Sequence, residues 1–247
     1  TLDWEASRFD AWRRRLPESY WIAEPDDILL RNAHLISDAG DKPLAISAEV
    51  YPARGATLVT VHTADHPGLF YRLAGAIHLA GASIIDARIH TTRDGMALDN
   101  FLVQDPFGRP FDEPARLKRL AQGIEDGLAN RAHIDERLAA RPLARTRADA
   151  FAIEANVLID NKASNRYTVI EVNARDRPAL LHALAFALFD SRVTIRSAHV
   201  ATYGERAVDT FYVTDLTGDK IGNTRLRAIE QQLLAAAGEP ASETIAA

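Results

Sequence analysis

Two short strings in this chain carry the residue types needed to hold an α-amino acid. They are Asp65-His66-Pro67-Gly68-Leu69-Phe70 and Asp176-Arg177-Pro178-Ala179-Leu180-Leu181. In each, an aspartate stands two residues ahead of a proline, where a strand-like run hands over to a helix-like one. Proline presets the first helical turn, which puts the aspartate at or near the N-cap. Free N–H groups at a helix start hold a carboxylate, and an acidic side chain beside them holds an ammonium. Gly68 adds a point where a ligand can approach the backbone closely. Helix capping accounts for the same aspartates with no ligand at all, so the residues themselves leave both readings open.

Other chemistry is poorly represented. His62 and His66 have a spacing that would bring two rings to one face of a helix for zinc. Here it straddles a strand end and stops at Pro67, so no metal site is expected. His78, His182 and His199 read as structural histidines. No Asp-x-Asp pair, His-Asp dipeptide, glycine-rich phosphate loop or Gly-x-Ser-x-Gly elbow occurs. No catalytic residue is expected in the chain.

Composition narrows the classes further. The 247 residues carry a formal charge of −5, which argues against a large nucleic-acid footprint. The absence of cysteine excludes disulfides, thiolate metal sites and cysteine nucleophiles. The longest apolar runs, such as 183–189, are too short for a bilayer span, and the expected location is the cytoplasm. Thr1 at the start and a lone methionine, Met96, suggest a piece excised from a longer protein.

The elements that must position the two strings are themselves duplicated. Ser83-Ile84 answers to Thr194-Ile195, and Leu98-Asp99-Asn100-Phe101-Leu102-Val103 to Val208-Asp209-Thr210-Phe211-Tyr212-Val213. A repeat of this length is a duplicated domain. Copy one reads as strands over 44–51 and 57–63, a helix over 68–80, strands over 83–91 and 96–105, and a helix over 113–130. Gly81 is placed to end the first helix in the left-handed conformation. Copy two reads as strands over 151–159 and 166–173, a helix over 178–190, strands over 193–202 and 207–214, and a helix over 223–236. The expected fold is α+β: two ferredoxin-like domains in a permuted ββαββα order, each an antiparallel sheet with two helices on one face. The expected division is a helical lead-in over 1–40, domain one over 41–130, a basic linker over 131–150, domain two over 151–237 and a flexible tail over 238–247.

Strand, Asp-x-Pro-Gly-Leu, helix, glycine, strand resembles the ACT domain, a small ferredoxin-like regulatory module that commonly binds amino acids at paired-domain interfaces. The chain is more specifically similar to the C-terminal tandem ACT region of the bifunctional PII uridylyltransferase/uridylyl-removing enzymes. The residues that carry this include Leu16-Pro17-Glu18-Ser19-Tyr20-Trp21, Ala97-Leu98-Asp99-Asn100-Phe101, Asn161-Lys162-Ala163-Ser164-Asn165 and 197–209. The resemblance implies L-glutamine as effector and upstream nucleotidyltransferase and HD domains in cis, with Mg2+ serving those domains. It also implies the PII signal protein as partner, the lead-in as the connection from the HD domain, and no nucleic acid or membrane partner. The effector-binding residues it implies are Thr63, Asp65, His66, Pro67, Gly68, Leu69, Ser83 and Ile84. In copy two they are Asp176, Arg177, Pro178, Ala179, Leu180, Thr194 and Ile195. Copy two departs from the pattern at Ala179 and Arg192, where copy one has Gly68 and Gly81, so copy one is expected to hold the better loop. A docking module that binds nothing small, or a free-standing ACT regulator, are the alternatives.

Overall fold

A computed structural model describes residues 5–129, 134–139 and 153–238. Three helices come first: α1 (Ala6–Arg15), α2 (Glu18–Ala23) and α3 (Asp26–Ala39). Pro17 and Pro25 stand immediately before α2 and α3, each ending the preceding run and opening the next helix.

The first repeat then runs β1 (Leu44–Tyr51), β2 (Ala56–Ala64), α4 (Leu69–Leu79), β3 (Ser83–Thr91), β4 (Met96–Gln104) and α5 (Pro114–Leu128). A six-residue helix, α6 (Ile134–Ala139), falls in the stretch assigned to the basic linker. The rest of that linker and the tail from 239 lie outside the described residues. The second repeat runs β5 (Asn156–Asp160), β6 (Thr168–Arg175), α7 (Leu180–Asp190), β7 (Thr194–Tyr203), β8 (Arg206–Thr214) and α8 (Asn223–Ala237). The strand expected from residue 151 begins instead at Asn156.

Both repeats form the same antiparallel sheet, in the orders β1-β2-β4-β3 and β5-β6-β8-β7. The hairpin partner β1 fills the slot that a terminal strand takes in the unpermuted plan. The duplication reaches small details. A bulge interrupts β3 between Ile84 and Asp86, and another interrupts β7 between Ile195 and Ser197. Phe111 N–H donates to Thr57 Oγ1 at 2.8 Å, and Ile221 N–H to Thr168 Oγ1 at 2.9 Å.

On one face of each sheet, alternate strand residues meet the helices. Val59, Val61, Ile89 and Phe101 pack with Leu73, Ile77, Leu120 and Ile124; Ile170, Val172 and Phe211 pack with Leu184, Leu188 and Leu233. These residues join in one core that runs through both copies. The opposite faces differ. In copy one that face is roofed by the lead-in, with Trp12, Leu16, Tyr20 and Ala33 against Leu98, and Ile28 against Leu58 and Leu102. Buried on both faces, β4 carries an unbroken buried run, whereas β8 alternates. The sequence difference follows: Leu98, Asn100 and Leu102 under the roof, Val208, Thr210 and Tyr212 where none is described. Among the described residues, no helix is long and apolar enough to cross a membrane.

Candidate functional site

The Asp-x-Pro-Gly loop folds differently from a capped helix start. Gly68, with φ 85° and ψ 0°, is the N-cap of α4, and no side chain caps the helix. Leu69 N–H donates to the His66 carbonyl at 3.1 Å, which closes a turn with Pro67 and Gly68 at its centre. Those dihedrals at Gly68 are those of the third residue of a type II turn, whose steric demand is a glycine. Pro67 therefore sets the turn and not the first helical turn. Asp65 lies one residue ahead of the turn. Its carboxylate accepts from Thr91 Oγ1 at 2.8 Å, and its N–H donates to the Gly95 carbonyl at 3.0 Å. Capping is thus not what Asp65 does. It pins the loop to the β3–β4 hairpin and remains exposed.

Copy two builds the same turn without glycine. Leu180 N–H donates to the Arg177 carbonyl at 3.1 Å, and Ala179 takes φ 58° and ψ 19° as the N-cap of α7. Asp176 N–H donates to Glu205 as Asp65 N–H does to Gly95. The helix-ending position repeats the theme, with Gly81 at φ 85° and Arg192 at φ 53°. Ala179 and Arg192 are the described non-glycine residues at positive φ, and each carries the steric cost that its glycine counterpart escapes.

The other expected site residues do not gather around one loop. Thr63 Oγ1 donates to the Pro43 carbonyl at 2.9 Å and so holds the start of β1. Strands β2 and β3 both pair antiparallel with β4, which makes them parallel to each other: Ala64 faces Met96, whereas Ser83 faces Gln104. Ser83 and Ile84 consequently lie at the far end of the sheet from Asp65, and cannot complete the loop of their own copy. Thr194 and Ile195 stand likewise opposite Thr214 and Val213, away from Asp176. Their place is set by the seam between the copies. Phe189, near the end of α7, lies against Gly68 ahead of α4, and His182, near the start of α7, lies against Gly75. The two helices are therefore antiparallel, and β3 runs beside β7. The same antiparallel sense sends the start of β3 toward the end of β7 and the Asp176 loop, and the start of β7 toward the Asp65 loop. Each loop therefore faces the strand start of the other copy.

Gly68 is not open to an approaching ligand on its Cα side, contrary to the sequence reading. A ring cluster of Tyr71, His182, Phe186 and Phe189 closes the helix side of the seam, with centroids 5.1–5.6 Å from Tyr71. His182 Nδ1–H donates to the Tyr71 carbonyl at 2.8 Å, a structural role as expected. His66 is exposed, its ring donating to the Pro67 carbonyl at 3.0 Å. Among the described residues no group of three or more His, Asp and Glu is placed to hold a metal.

Two acidic residues escaped the sequence reading of the site. Asp99 and Asp209 occupy equivalent positions on β4 and β8, on the helix-facing side with Phe101 and Phe211. Both are 1% exposed, and each keeps one carboxyl oxygen without a hydrogen-bond partner. Burial, reinforced by the charge of Asp65, raises the Asp99 carboxyl well above the carboxylate range against the His90 N–H. Burial and the charge of Asp176 push Asp209 up to about 7. The available signal was an aspartate at matching places in two largely apolar strands.

The roofed face of the first sheet holds a second polar cluster. Glu24, its side chain fully buried, accepts from His90 Nε2 at 2.8 Å, Asn100 Nδ2 at 3.0 Å and Arg88 at 3.2 Å. Burial pushes this carboxyl up, but the three donors outweigh it and hold it below the usual range. A cavity of about 130 Å³ adjoins the cluster, lined by Tyr51, Arg54, Asp86 and Arg88 among others. Its charged groups already pair with one another, Asp86 lying 3.8 Å from Arg54 and 3.9 Å from Arg88. It lies across the sheet from the loops, and we read it as a packing gap under the docked lead-in.

No protein-family model matches the chain. Curated relatives do. It is 62% identical over 225 residues, 91% of its length, to a bifunctional uridylyltransferase/uridylyl-removing enzyme of Novosphingobium aromaticivorans. Enzymes of the same name from Erythrobacter litoralis and Zymomonas mobilis are 56% and 52% identical over 96% of the chain. The chain spans about a quarter of the length of these relatives, 25–26%.

Proposed function

This chain is homologous to a C-terminal segment of the bifunctional uridylyltransferase/uridylyl-removing enzymes, and on that footing we propose that it is their glutamine-sensing tandem ACT module. In this reading it holds no catalytic residue. Uridylylation and deuridylylation of the PII signal protein, and the Mg2+ they use, belong to nucleotidyltransferase and HD domains upstream, in the cytoplasm. L-Glutamine sits at the seam between the copies, its carboxylate toward the helix N-termini and its ammonium toward Asp65 or Asp176. Each loop is completed by the opposite strand edge, Asp65 with Thr194 and Ile195, Asp176 with Ser83 and Ile84.

The observation that supports this best is the crossed arrangement itself. Two loops with the same turn, each facing the other copy's strand start, make a ligand at either loop a bridge across the seam. A bridge that fits one arrangement of the copies better than another shifts their population, and the lead-in docked on the first sheet carries the difference upstream.

Calorimetry on the folded chain tests the reading. L-Glutamine should bind, and Asp65→Ala should weaken binding about tenfold through loss of a charge-assisted hydrogen bond. Absence of heat with glutamine on a chain of intact fold would remove the sensing reading and favour the docking alternative.

A further inference from the structure

The two buried aspartates have no role in that scheme. Each lies beneath its loop, on the central strand, on the face toward α4 or α7. The strand neighbours of Asp99 are Val61 and Ile89, and those of Asp209 are Val172 and Val200. The helices above present Leu69 and Leu73, or Leu180 and Leu184. Among the described residues, no cation acts on either carboxyl. The charged group acting on each is the loop aspartate of its own copy, Asp65 or Asp176. A buried carboxyl with an unpartnered oxygen is costly to ionise, and a negative charge on the same face adds to that cost: Asp65 is bonded to Thr91, the diagonal cross-strand neighbour of Asp99. That the same unpartnered oxygen recurs in both copies, at 1% exposure, ties it to the loop above it.

We propose that Asp99, beneath the Asp65 loop, and Asp209, beneath the Asp176 loop, are the buried acids of two acid pairs, each holding a proton when its loop is empty and giving it up when an ammonium-bearing ligand is seated there. The inference rests on the amino-acid-sensing reading and adds to it the means by which the loop detects the ammonium. The balance is simple. The empty pair carries one proton and one negative charge. The ligand's ammonium brings a positive charge against the loop aspartate, the buried carboxyl ionises, and its proton leaves to solvent. A neutral analogue that lacks the ammonium does not drive the exchange. This makes Asp99 and Asp209 positioning residues that act through the loop aspartates.

Calorimetric titration of L-glutamine at pH 7 in buffers of different ionisation enthalpy counts the protons. Net proton release on binding is expected, about half a proton at the Asp176 loop, since Asp209 is pushed up to about 7. Asp99→Asn with Asp209→Asn, checked for fold by circular dichroism, should abolish the release and weaken binding. Binding of glutamine by the parent chain with no proton exchange would overturn the acid-pair inference and leave the sensing reading standing. Carboxyl carbon NMR of the free chain decides independently of any ligand. Asp99 should titrate above the ordinary aspartate range, and titration within that range would sink the proposal even if glutamine failed to bind.

Discussion

Glu24→Ala should detach the lead-in from the first sheet at a cost of about 3–5 kcal/mol, the range for removing one partner from a buried ion pair. The side chain is fully buried, and it is the shared acceptor of His90, Asn100 and Arg88, three residues on two strands. Alanine leaves His90 and Asn100 facing the roof without their acceptor, while Arg88 keeps the Ala23 carbonyl, and each unpaired donor adds desolvation cost. The measurement is favourable because the chain's three tryptophans, Trp4, Trp12 and Trp21, all lie in the lead-in. Trp12 and Trp21 meet edge-on, 4.7 Å apart, so undocking should red-shift tryptophan emission while the sheet signal in circular dichroism persists. An unshifted spectrum and an unchanged denaturation midpoint would show that the apolar contacts alone hold the roof. The pH dependence has a fixed sign. A carboxyl held below its ordinary 4.5 stabilises the docked state at and above that pH, and the contribution is lost as pH falls through the lowered value. Emission should therefore hold steady from neutrality to about 4.5 and shift only on further acidification.

That clamp was invisible in the sequence for a physical reason. Its members are separated by 64–76 positions and join through opposite faces of different elements, so no local period marks them. What periodicity and punctuation do mark was legible. The repeat gave the two-domain plan and the permuted order, and Asp94-Gly95 placed the β3–β4 turn. Gly81 foretold a left-handed helix end, because that conformation is nearly free only for glycine. Arg192 takes the same conformation in copy two, and nothing in its side chain announces it. The aspartates of the loop were legible as chemistry but not as geometry. A proline two residues on suits either a helix start or a turn, and the structure takes the turn. Ser83 and Ile84 lie away from the loop of their own copy because a parallel crossover sends the strand start to the opposite end of the sheet. Only the docked second copy brings strand starts and loops back together.

Gly68→Ala should cost about 2–4 kcal/mol, and it should do so through the seam as well as through the loop. The first part is conformational: at φ 85° an alanine carries a penalty of about 1–2 kcal/mol. The second is steric. A Cβ at this position would meet Tyr71 Cε1 at 2.6 Å and the Phe189 ring at 3.2 Å, so Tyr71 must move within its ring cluster. Displacing it presses on His182, Phe186 and Phe189, the contacts that join α4 to α7. Ala179→Gly is the counter-test, since it removes the strain at φ 58° and should shift the denaturation midpoint upward by the equivalent of about 0–1 kcal/mol after the added freedom of the unfolded chain is counted. The two substitutions separate the causes. If Gly68→Ala costs no more than Ala179→Gly returns, the left-handed turn alone accounts for the glycine. If it costs clearly more, the difference belongs to the seam, and Gly68 is retained because Phe189 of the second copy packs where its side chain would be. On the distances at Gly68 the second result is expected, which makes the glycine a residue of the domain pairing before it is a residue of the ligand loop.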